Sequence, residues 1–387
     1  MLEQLSVVIP TFNRPNFIMR QLKYWENTGV QIIIADGSKN SIDFDLSKFS
    51  KGNELIYLHL PLKFNERLRI ASNLINRKYA VHSSDDDFLL HSGLVKCIEV
   101  LSLDSKIVAC SGQTLKFNPY KSNNKVDYGN GYDTLGYKVE SNSIAERLNR
   151  ALSNYKPVTF YAVMKRNTFI DTWGSIENSN IAMVQEFEQI ISTFAHGNVT
   201  TISELSRLWS VEVPSVEDPT QNRKIKFENW WIDKEFEIER GLFIKRMVSV
   251  IAKSNFLSES KAHEILIYAI NLYLANPLDF NPMPRGIKKV LKYVLFKLLK
   301  KIIPGEKILI IKRIRLRILS LLINRINPLF NKLPYGSIEN LHINKNLLPL
   351  KLDECTFSDL TLIEKTISDF KNVIFTKSSN KLCKKMN

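Results

Sequence analysis

Alternating apolar and polar blocks divide the first half of the chain into short strands and amphipathic helices. The runs LSVVIP, QIIIAD, LIYLHL and YAVHSS are rich in β-branched or aromatic residues and have the length of buried strands. Residues 17–28 and the segment NERLRIASNLINRK, which lie between these runs, have helical spacing. This order predicts βαβ units, and therefore an α/β fold with a mostly parallel sheet and helices on both faces.

The pattern changes character in the second half of the chain. KIVACSGQTLKF and VTFYAVMKR predict two more strands, separated by a loop over residues 118–137 without clear periodicity. Residues 181–196 carry an apolar stripe typical of a helix, and residues 199–212 look extended. Long helical patterns follow. We therefore predict a first domain over residues 1–225 and a mainly helical C-terminal region over residues 226–387.

A basic segment over residues 284–328 is the most unusual part of this helical region. Its apolar residues recur at helical spacing while lysines and arginines occupy another face, and the pattern breaks at Pro304 and Gly305. Basic amphipathic helices of this kind lie on anionic membrane surfaces. The alternative is a helical pair that packs on its own domain with solvated lysines. We favour peripheral contact with an anionic membrane.

Charge and cysteine content indicate which binding partners and which cellular compartment to expect for the protein. The net charge is +15, which favours an anionic partner, but no base-reading motif favours a nucleic acid. The four cysteines have no CxxC spacing, so neither a zinc site nor a disulfide framework is indicated. The sequence has no signal-peptide pattern and no apolar stretch of about 18 residues. We expect a cytoplasmic protein at the inner face of the membrane.

Three consecutive aspartates in VHSSDDDFLL, Asp85, Asp86 and Asp87, follow the predicted fourth strand. Adjacent carboxylates repel one another unless a cation, a hydrogen-bond donor or open water offsets the repulsion. Mg²⁺ or Mn²⁺ fits such oxygen ligands. The alternative is an acidic loop in which Asp87 caps a helix beginning near Phe88. Because Asp36 and the loop PTFNRP fall on the same carboxyl edge of the predicted sheet, we favour a ligand site.

The order of three motifs, VVIPTFNRP, IIIADGS and SSDDDF, resembles the glycosyltransferase family 2 type of enzyme with the GT-A, Rossmann-like nucleotide-sugar fold. The resemblance covers residues 4–215. It implies a metal-dependent, inverting transfer of a sugar from a nucleoside diphosphate donor, typically UDP, to a surface glycan or a lipid-linked acceptor. Many relatives carry a further aspartate where this chain has Ser84, which leaves the identity of the metal ligand open.

The resemblance also implies roles for individual residues. Asp36 would accept a hydrogen bond from the base, Asp85 would lie near the ribose, and Asp86 or Asp87 would ligate the metal. In QEFEQI, Glu186 would be the catalytic base and Glu188 the second candidate; only one can serve, since residues two apart do not share a helix face. Relatives end the domain with an Arg-Glu pair, and this chain has Glu212 without that arginine. The remaining residues implied at the nucleotide site are Pro10, Thr11, Asn13, Arg14 and Arg67.

Two other classes of protein remain as alternatives. One is a membrane- or phosphate-binding scaffold on a degenerate GT-A fold, but such a protein would have no need for Asp36 together with three further aspartates. The other is a nucleotidyltransferase, whose first strand usually precedes a Gly-rich loop bearing Lys or Arg. PTFNRP is not such a loop. The glycosyltransferase hypothesis accounts for both the acidic cluster and the basic segment.

Overall fold

The computed structural model describes residues 1–43, 45–49, 51–122, 125–177, 179, 181–212, 225–275, 336–344 and 350–375. These residues belong to one compact unit formed by Met1–Asn276 and Pro334–Asn387. The predicted basic helices of residues 284–328 lie outside the described residues. Within the part of the chain that the structure describes, no helix is long and apolar enough to span a bilayer.

A single twisted sheet forms the centre of this unit. Its strands are β1 Leu5–Thr11, β2 Gln31–Asp36, β3 Glu54–His59, β4 Tyr79–His82, β5 Phe88–Leu89, β6 Ile107–Ser122, β7 Lys125–Asn130, β8 Lys138–Val139, β9 Val163–Lys165 and β10 Asn198–Ser210. The order is β3-β2-β1-β4-β9-β6-β10-β5, with β7 beside β6 and β8 beside β10. Strands β1 to β4 are parallel to one another, as are β6 and β10, whereas β5, β7, β8 and β9 pair antiparallel. The predicted α/β class with a mainly parallel sheet is confirmed.

Helices cover both faces of the sheet, and further helices follow in the C-terminal region. They are α1 Pro15–Tyr24, α2 Phe64–Ser72, α3 His91–Leu103, α4 Ile144–Ser153, α5 Arg166–Trp173, α6 Ala182–His196, α7 Phe227–Ile232, α8 Glu237–Asn255, α9 Glu259–Ala275, α10 Ile338–Asn344 and α11 Glu354–Phe375. Helix α1 begins at Pro15, whose fixed φ suits the first turn of a helix. Helices α8 and α9 pack on α6 and α4. The predicted helical C-terminal region is therefore present in the described residues.

The two faces of β1 are covered by different helices, as the alternation of side chains along a strand requires. Leu5, Val7 and Ile9 are fully buried and share one cluster with Ile18 and Leu22 of α1. Alternate residues of a strand point to opposite faces, so the residues between them face α2, which packs on β1 and β2 from the other side. Both faces of β1 are thus covered, as its continuous apolar sequence requires.

The end of the chain returns to this core. Helix α11 packs on α1 and α3, and its Leu360 and Ile363 belong to the same cluster as β1. Asp359 accepts hydrogen bonds from the backbone N and the Oγ of Ser92 at the start of α3, at 2.8 and 2.6 Å. Only a few amphipathic turns could be predicted for this segment from its residues.

Two local predictions were wrong, and one alternative is excluded. Most of VTFYAVMKR is not extended, since only Val163–Lys165 forms a strand. Much of the predicted loop 118–137 is a hairpin, in which β6 continues to Ser122 and pairs with β7. Asp87 does not cap a helix, because Phe88–Leu89 pairs with β10 and α3 begins only at His91.

Candidate functional site

The carboxyl ends of β2, β1 and β4 bring the three motifs together at one edge of the sheet. Asp36, the last residue of β2, is the register partner of Thr11, the last residue of β1. Strand β4 ends beside β1 at His82, and the backbone N of Ser83 still donates to the carbonyl of Val8 at 2.9 Å. The acidic triplet follows two residues later. This edge is where open α/β sheets bind ligands.

Asp85 is held by the loop that follows β1. Its carboxylate accepts hydrogen bonds from Thr11 Oγ1 at 2.7 Å and Arg14 Nη1 at 2.9 Å. Asn13 turns this loop with a left-handed φ of 56°, and its backbone N donates to Ser38 Oγ at 2.7 Å. Burial raises the pKa of Asp85, while Arg14 and the Thr11 hydroxyl act in the opposite direction.

Asp87 is held from the other side of the site by β10. Arg207 donates to Asp87 Oδ2 from Nε at 2.9 Å and from Nη2 at 2.5 Å, and the backbone N of Ser210 donates to Oδ1 at 2.9 Å. Gln21 of α1 donates to the carbonyl oxygens of Asp85 and Asp87. Arg207 also stacks on the ring of Tyr161, with 3.3 Å from the guanidinium carbon to the ring centroid. The loop that contains Asp85, Asp86 and Asp87, called the acidic loop below, is therefore fixed by side chains from α1 and β10.

Asp86 differs from its two neighbours. One of its oxygens, Oδ2, accepts a hydrogen bond from Arg14 Nη1 at 3.0 Å, and the other, Oδ1, receives none from the described residues. Its side chain is 16% exposed. Burial raises the pKa of Asp86 to about 7, and the charges of Asp87 and Asp85 contribute to the same shift. Asp86 is thus the member of the triplet with an oxygen available to a ligand.

These residues fit a metal ion only as part of a shared coordination shell. Among the described residues, no group of three or more His, Cys, Asp and Glu side chains could hold an ion by itself. A hard cation such as Mg²⁺ needs one or two carboxylates when phosphate oxygens and water complete its shell. Asp86, with Asp85 beside it, meets that smaller requirement.

Asp36 and Arg67 fix the ends of β1 and β2. Asp36 Oδ1 accepts from the backbone N and Oγ of Ser38, at 2.9 and 2.5 Å, and Oδ2 accepts from Tyr57 OH at 2.8 Å. Arg67 is buried and donates from Nη1 to the carbonyls of Thr11 at 2.6 Å and Ala35 at 3.0 Å. Pro10 is buried in β1 opposite Ala35. In this structure Arg67 and Pro10 shape the loops at this edge rather than line an open surface.

The two glutamates of α6 have different surroundings, as their spacing predicts. Glu186 accepts a hydrogen bond from Tyr155 OH, and burial raises its pKa. Glu188 is buried and accepts hydrogen bonds from Arg246 Nε at 3.1 Å and from the backbone N of Glu177 at 3.2 Å. Glu188 therefore joins α6 to α8.

A small cavity of about 20 Å³ is lined by Tyr132 and Arg207, and Arg207 pairs with Asp87 of the acidic loop. Tyr132 is near both the acidic loop and α6, as its pKa shows. Burial raises the pKa of Tyr132, and the charges of Glu186 and Asp87 raise it further while Arg207 lowers it. Tyr132 also stacks on Trp209, with ring centroids 5.1 Å apart. The lining is rich in hydroxyl groups and includes Ser111, Thr114, Tyr132, Thr134, Tyr161 and Arg207.

Two arginines of this site were missed by the sequence analysis. Arg20 of α1 donates to both carboxylate oxygens of Glu212 at 2.9 and 2.8 Å, and both side chains are fully buried. Glu212, which has no arginine beside it in the sequence, is thus paired with an arginine from a distant helix. Arg207 had a sequence signal, since a cation inside an apolar strand such as LSRLWS needs a buried partner.

Comparisons with known proteins give a fold-level likeness. No protein-family model and no curated protein sequence matches the chain. The crystal structure of S. aureus TarS 1–349 in complex with UDP-GlcNAc has a TM-score of 0.47 at 11% identity, covering 94% of this chain and 91% of that chain. A mannosyltransferase from Pyrobaculum calidifontis in complex with GDP-Man and Mn²⁺ has a TM-score of 0.35 at 13% identity, covering 76% and 80%. Because both scores lie below 0.5, we draw the function from the chain's own residues.

Proposed function

We propose that the protein is a glycosyltransferase of the GT-A type that uses a nucleoside diphosphate sugar, with UDP as the expected nucleotide. One observation carries the proposal. The acidic loop with Arg14 lies at the carboxyl edge of a parallel sheet, and Glu186 lies near enough that its charge and that of Asp87 both raise the pKa of Tyr132. The three strand-end motifs that resemble family 2 enzymes support the same assignment.

The donor would bind along the ends of β1 and β2. Arg14 is the cation nearest to Asp85 and Asp86 and would contact the diphosphate, because guanidinium groups bind phosphate oxygens well. Asp36 Oδ2 accepts one hydrogen bond from Tyr57, and a carboxylate oxygen has two lone pairs. Asp36 therefore keeps acceptor capacity for an N–H group of the base.

Asp86 is the residue that we propose as metal ligand, with Asp85 nearer the ribose. The oxygens of Asp87 are already engaged by Arg207 and Ser210, so its role would be to fix the loop. When bound, Mg²⁺ or Mn²⁺ would supply positive charge that stabilises the leaving diphosphate.

Glu186 is the proposed general base. Its carboxylate would take the proton of the acceptor hydroxyl while that oxygen bonds to the anomeric carbon. The bond from the anomeric carbon to the diphosphate oxygen breaks, and its electron pair leaves with the nucleoside diphosphate. The raised pKa of Glu186 lies nearer to pH 7 than that of an exposed glutamate. A general base is most effective when its pKa is near the pH at which the enzyme works. This single displacement inverts the anomeric configuration.

The acceptor that we propose is a surface glycan or a lipid-linked glycan, presented at the cytoplasmic face of the membrane. The sequence of residues 284–328 supports this location, because a basic amphipathic segment would keep the protein near anionic lipids.

Calorimetry with UDP, with and without Mn²⁺, tests the proposal on the wild type, Asp86→Asn and Asp171→Asn. Asp171, 57% exposed on α5, is a matched control for the loss of one carboxylate. We expect Mn²⁺ to strengthen UDP binding, and Asp86→Asn alone to remove at least about tenfold of that gain, or about 1.4 kcal/mol. UDP binding that ignores both Mn²⁺ and Asp86→Asn would contradict the assignment.

A further inference from the structure

Arg14 is the guanidinium that neutralises Asp85 and Asp86. Its Nη1 lies 2.9 Å from Asp85 Oδ1 and 3.0 Å from Asp86 Oδ2, so one nitrogen bridges the two carboxylates. The Arg14 side chain is 11% exposed, so water screens its interaction with the two carboxylates only weakly. The guanidinium thus lies beside the carboxylate of Asp86, which the proposed function assigns to a metal ion.

The other two acids of the cluster have their own partners. Asp87 is paired with Arg207, and Glu212 with Arg20. Neither arginine donates a hydrogen bond to the carboxylates of Asp85 or Asp86 within the described residues. Arg14 is therefore the side chain whose departure would leave those two carboxylates without a direct cationic contact.

We propose that Arg14 is a built-in counter-ion that holds the cation position while the donor is absent and moves to the diphosphate when the donor binds. This inference rests on the proposed function. It makes the loading of nucleotide and divalent cation cooperative. A divalent cation bound to Asp86 would be repelled by the guanidinium of Arg14 beside it, so Arg14 moves away as the cation binds, and the diphosphate offers it an equivalent anionic partner.

The acidic loop has contacts that remain when Arg14 leaves. Thr11 keeps its hydrogen bond to Asp85, and Gln21 keeps the carbonyls of Asp85 and Asp87. Arg20 Nη2 donates to the carbonyl of Asp86 at 3.1 Å. The departure of Arg14 therefore changes the charge beside the carboxylates without removing the contacts that shape the loop.

Two consequences follow for binding. A divalent cation alone has to compete with Arg14 and binds weakly. The nucleotide alone draws Arg14 away from Asp85 and Asp86, whose negative charges then repel each other, and this repulsion weakens nucleotide binding as well. The cation offsets that repulsion, and the nucleotide removes the competing guanidinium. Each ligand therefore raises the affinity for the other, by the same factor in both directions.

Titration of Mn²⁺ followed by electron paramagnetic resonance tests this inference on the wild type, Arg14→Gln and Arg77→Gln. Arg77 pairs with Glu54 at 3.1 Å, where β3 begins, and is a control for the loss of one positive charge at the opposite edge of the sheet. Without UDP, we expect Arg14→Gln to bind Mn²⁺ at least about tenfold more tightly than the wild type, because its carboxylates have no competing cation. UDP should raise the Mn²⁺ affinity of all three chains, because its phosphate oxygens complete the metal shell, but by a smaller factor in Arg14→Gln, in which no guanidinium has to be displaced.

The outcomes separate this inference from the proposed function. If the wild type binds Mn²⁺ more tightly with UDP but Arg14→Gln gains no affinity for Mn²⁺ alone, the counter-ion role is wrong and the glycosyltransferase assignment stands. If no chain binds Mn²⁺ even with UDP, both fail. Circular dichroism checks that Arg14→Gln is folded. An absence of coupling between UDP and Mn²⁺ in the wild type would overturn both the counter-ion role and the metal-dependent assignment, whereas equal coupling in the wild type and Arg14→Gln would overturn the counter-ion role alone.

Discussion

Arg207 of β10 and Asp87 of the acidic loop form a buried ion pair in which two guanidinium nitrogens donate to one carboxylate oxygen, at 2.9 and 2.5 Å. The Asp87 side chain is 2% exposed and that of Arg207 is 7% exposed. The pair connects the acidic loop to the strand that forms one wall of the cavity.

Breaking this pair should destabilise the protein strongly. Arg207→Met leaves the carboxylate of Asp87 buried and unpaired, and such a change typically costs about 3–5 kcal/mol. The exposed pair of Arg150 and Glu146 on α4 is the control, because Arg150→Met should cost less than about 0.5 kcal/mol. Unfolding by urea measures both. Equal stability of the two variants would contradict a structural role for the Arg207 pair.

Glu186 and Glu188 should respond differently to the same substitution. Glu186→Gln keeps the shape of the side chain but removes the proposed base, so sugar transfer should fall about 10²- to 10⁴-fold while UDP binding is retained. Glu188→Gln weakens the contact with Arg246 and should lower the melting temperature with a smaller effect on transfer. Release of UDP from a sugar donor in the presence of acceptor measures the rates. A Glu186→Gln variant with wild-type transfer would rule out that residue as base.

Gly37 should not tolerate a side chain. A Cβ there would lie 2.5 Å from Arg67 Cζ, which would push the guanidinium from the carbonyls at the ends of β1 and β2. We expect Gly37→Ala to cost about 1–3 kcal/mol, as overpacking of a buried site does. At Gly241, exposed on α8, a Cβ meets nothing within 4 Å, so Gly241→Ala should stabilise the helix by about 0.5–1 kcal/mol. Thermal melting checks the contact between Gly37 and Arg67, because the melting temperature should fall in Gly37→Ala and rise in Gly241→Ala.

His82 should make the stability of the protein depend on pH. It is stacked on Trp173, and burial followed by the charge of Arg207 lowers its pKa from 6.5 to about 3. The unfolded chain therefore binds a proton that the folded chain does not, and this part of the stability is complete above about pH 6.5 and lost as the pH falls toward 3. The loss is at most about 1.4 kcal/mol per pH unit.

The variant His82→Phe isolates this effect. The raised pKa of Asp86 makes stability change with pH in the opposite direction over part of the same range. The useful quantity is therefore the difference in unfolding free energy between His82→Phe and the wild type, in which the contribution of Asp86 cancels. As the pH falls from 7 to 5, that difference should change in favour of the variant. His263→Phe, exposed on α9, controls for the loss of an imidazole. A difference that stays constant with pH would show that folding does not lower the pKa of His82.

The sequence predicted the parallel half of the sheet because each of its strands is a continuous apolar run that ends in a polar motif. Thr11, Asp36 and Asp85 could be placed at one edge from this order alone. The sequence could not show that Arg14, Arg20 and Arg207 pair with the acids of the site, because these pairs join segments up to 192 residues apart. The conformation of Phe88–Leu89, where a helix start was the alternative, could not be decided from the sequence for the same reason, since these residues pair with β10.

The contact of α11 with α1 and α3 has a consequence for biosynthesis. Leu360 and Ile363 belong to the apolar cluster that includes β1, so this cluster stays partly open to water until residues 360–363 have left the ribosome. Strand β1 is thus fully covered only long after its own synthesis, and a nascent chain that stalls before residue 350 would present an exposed apolar surface to chaperones and proteases.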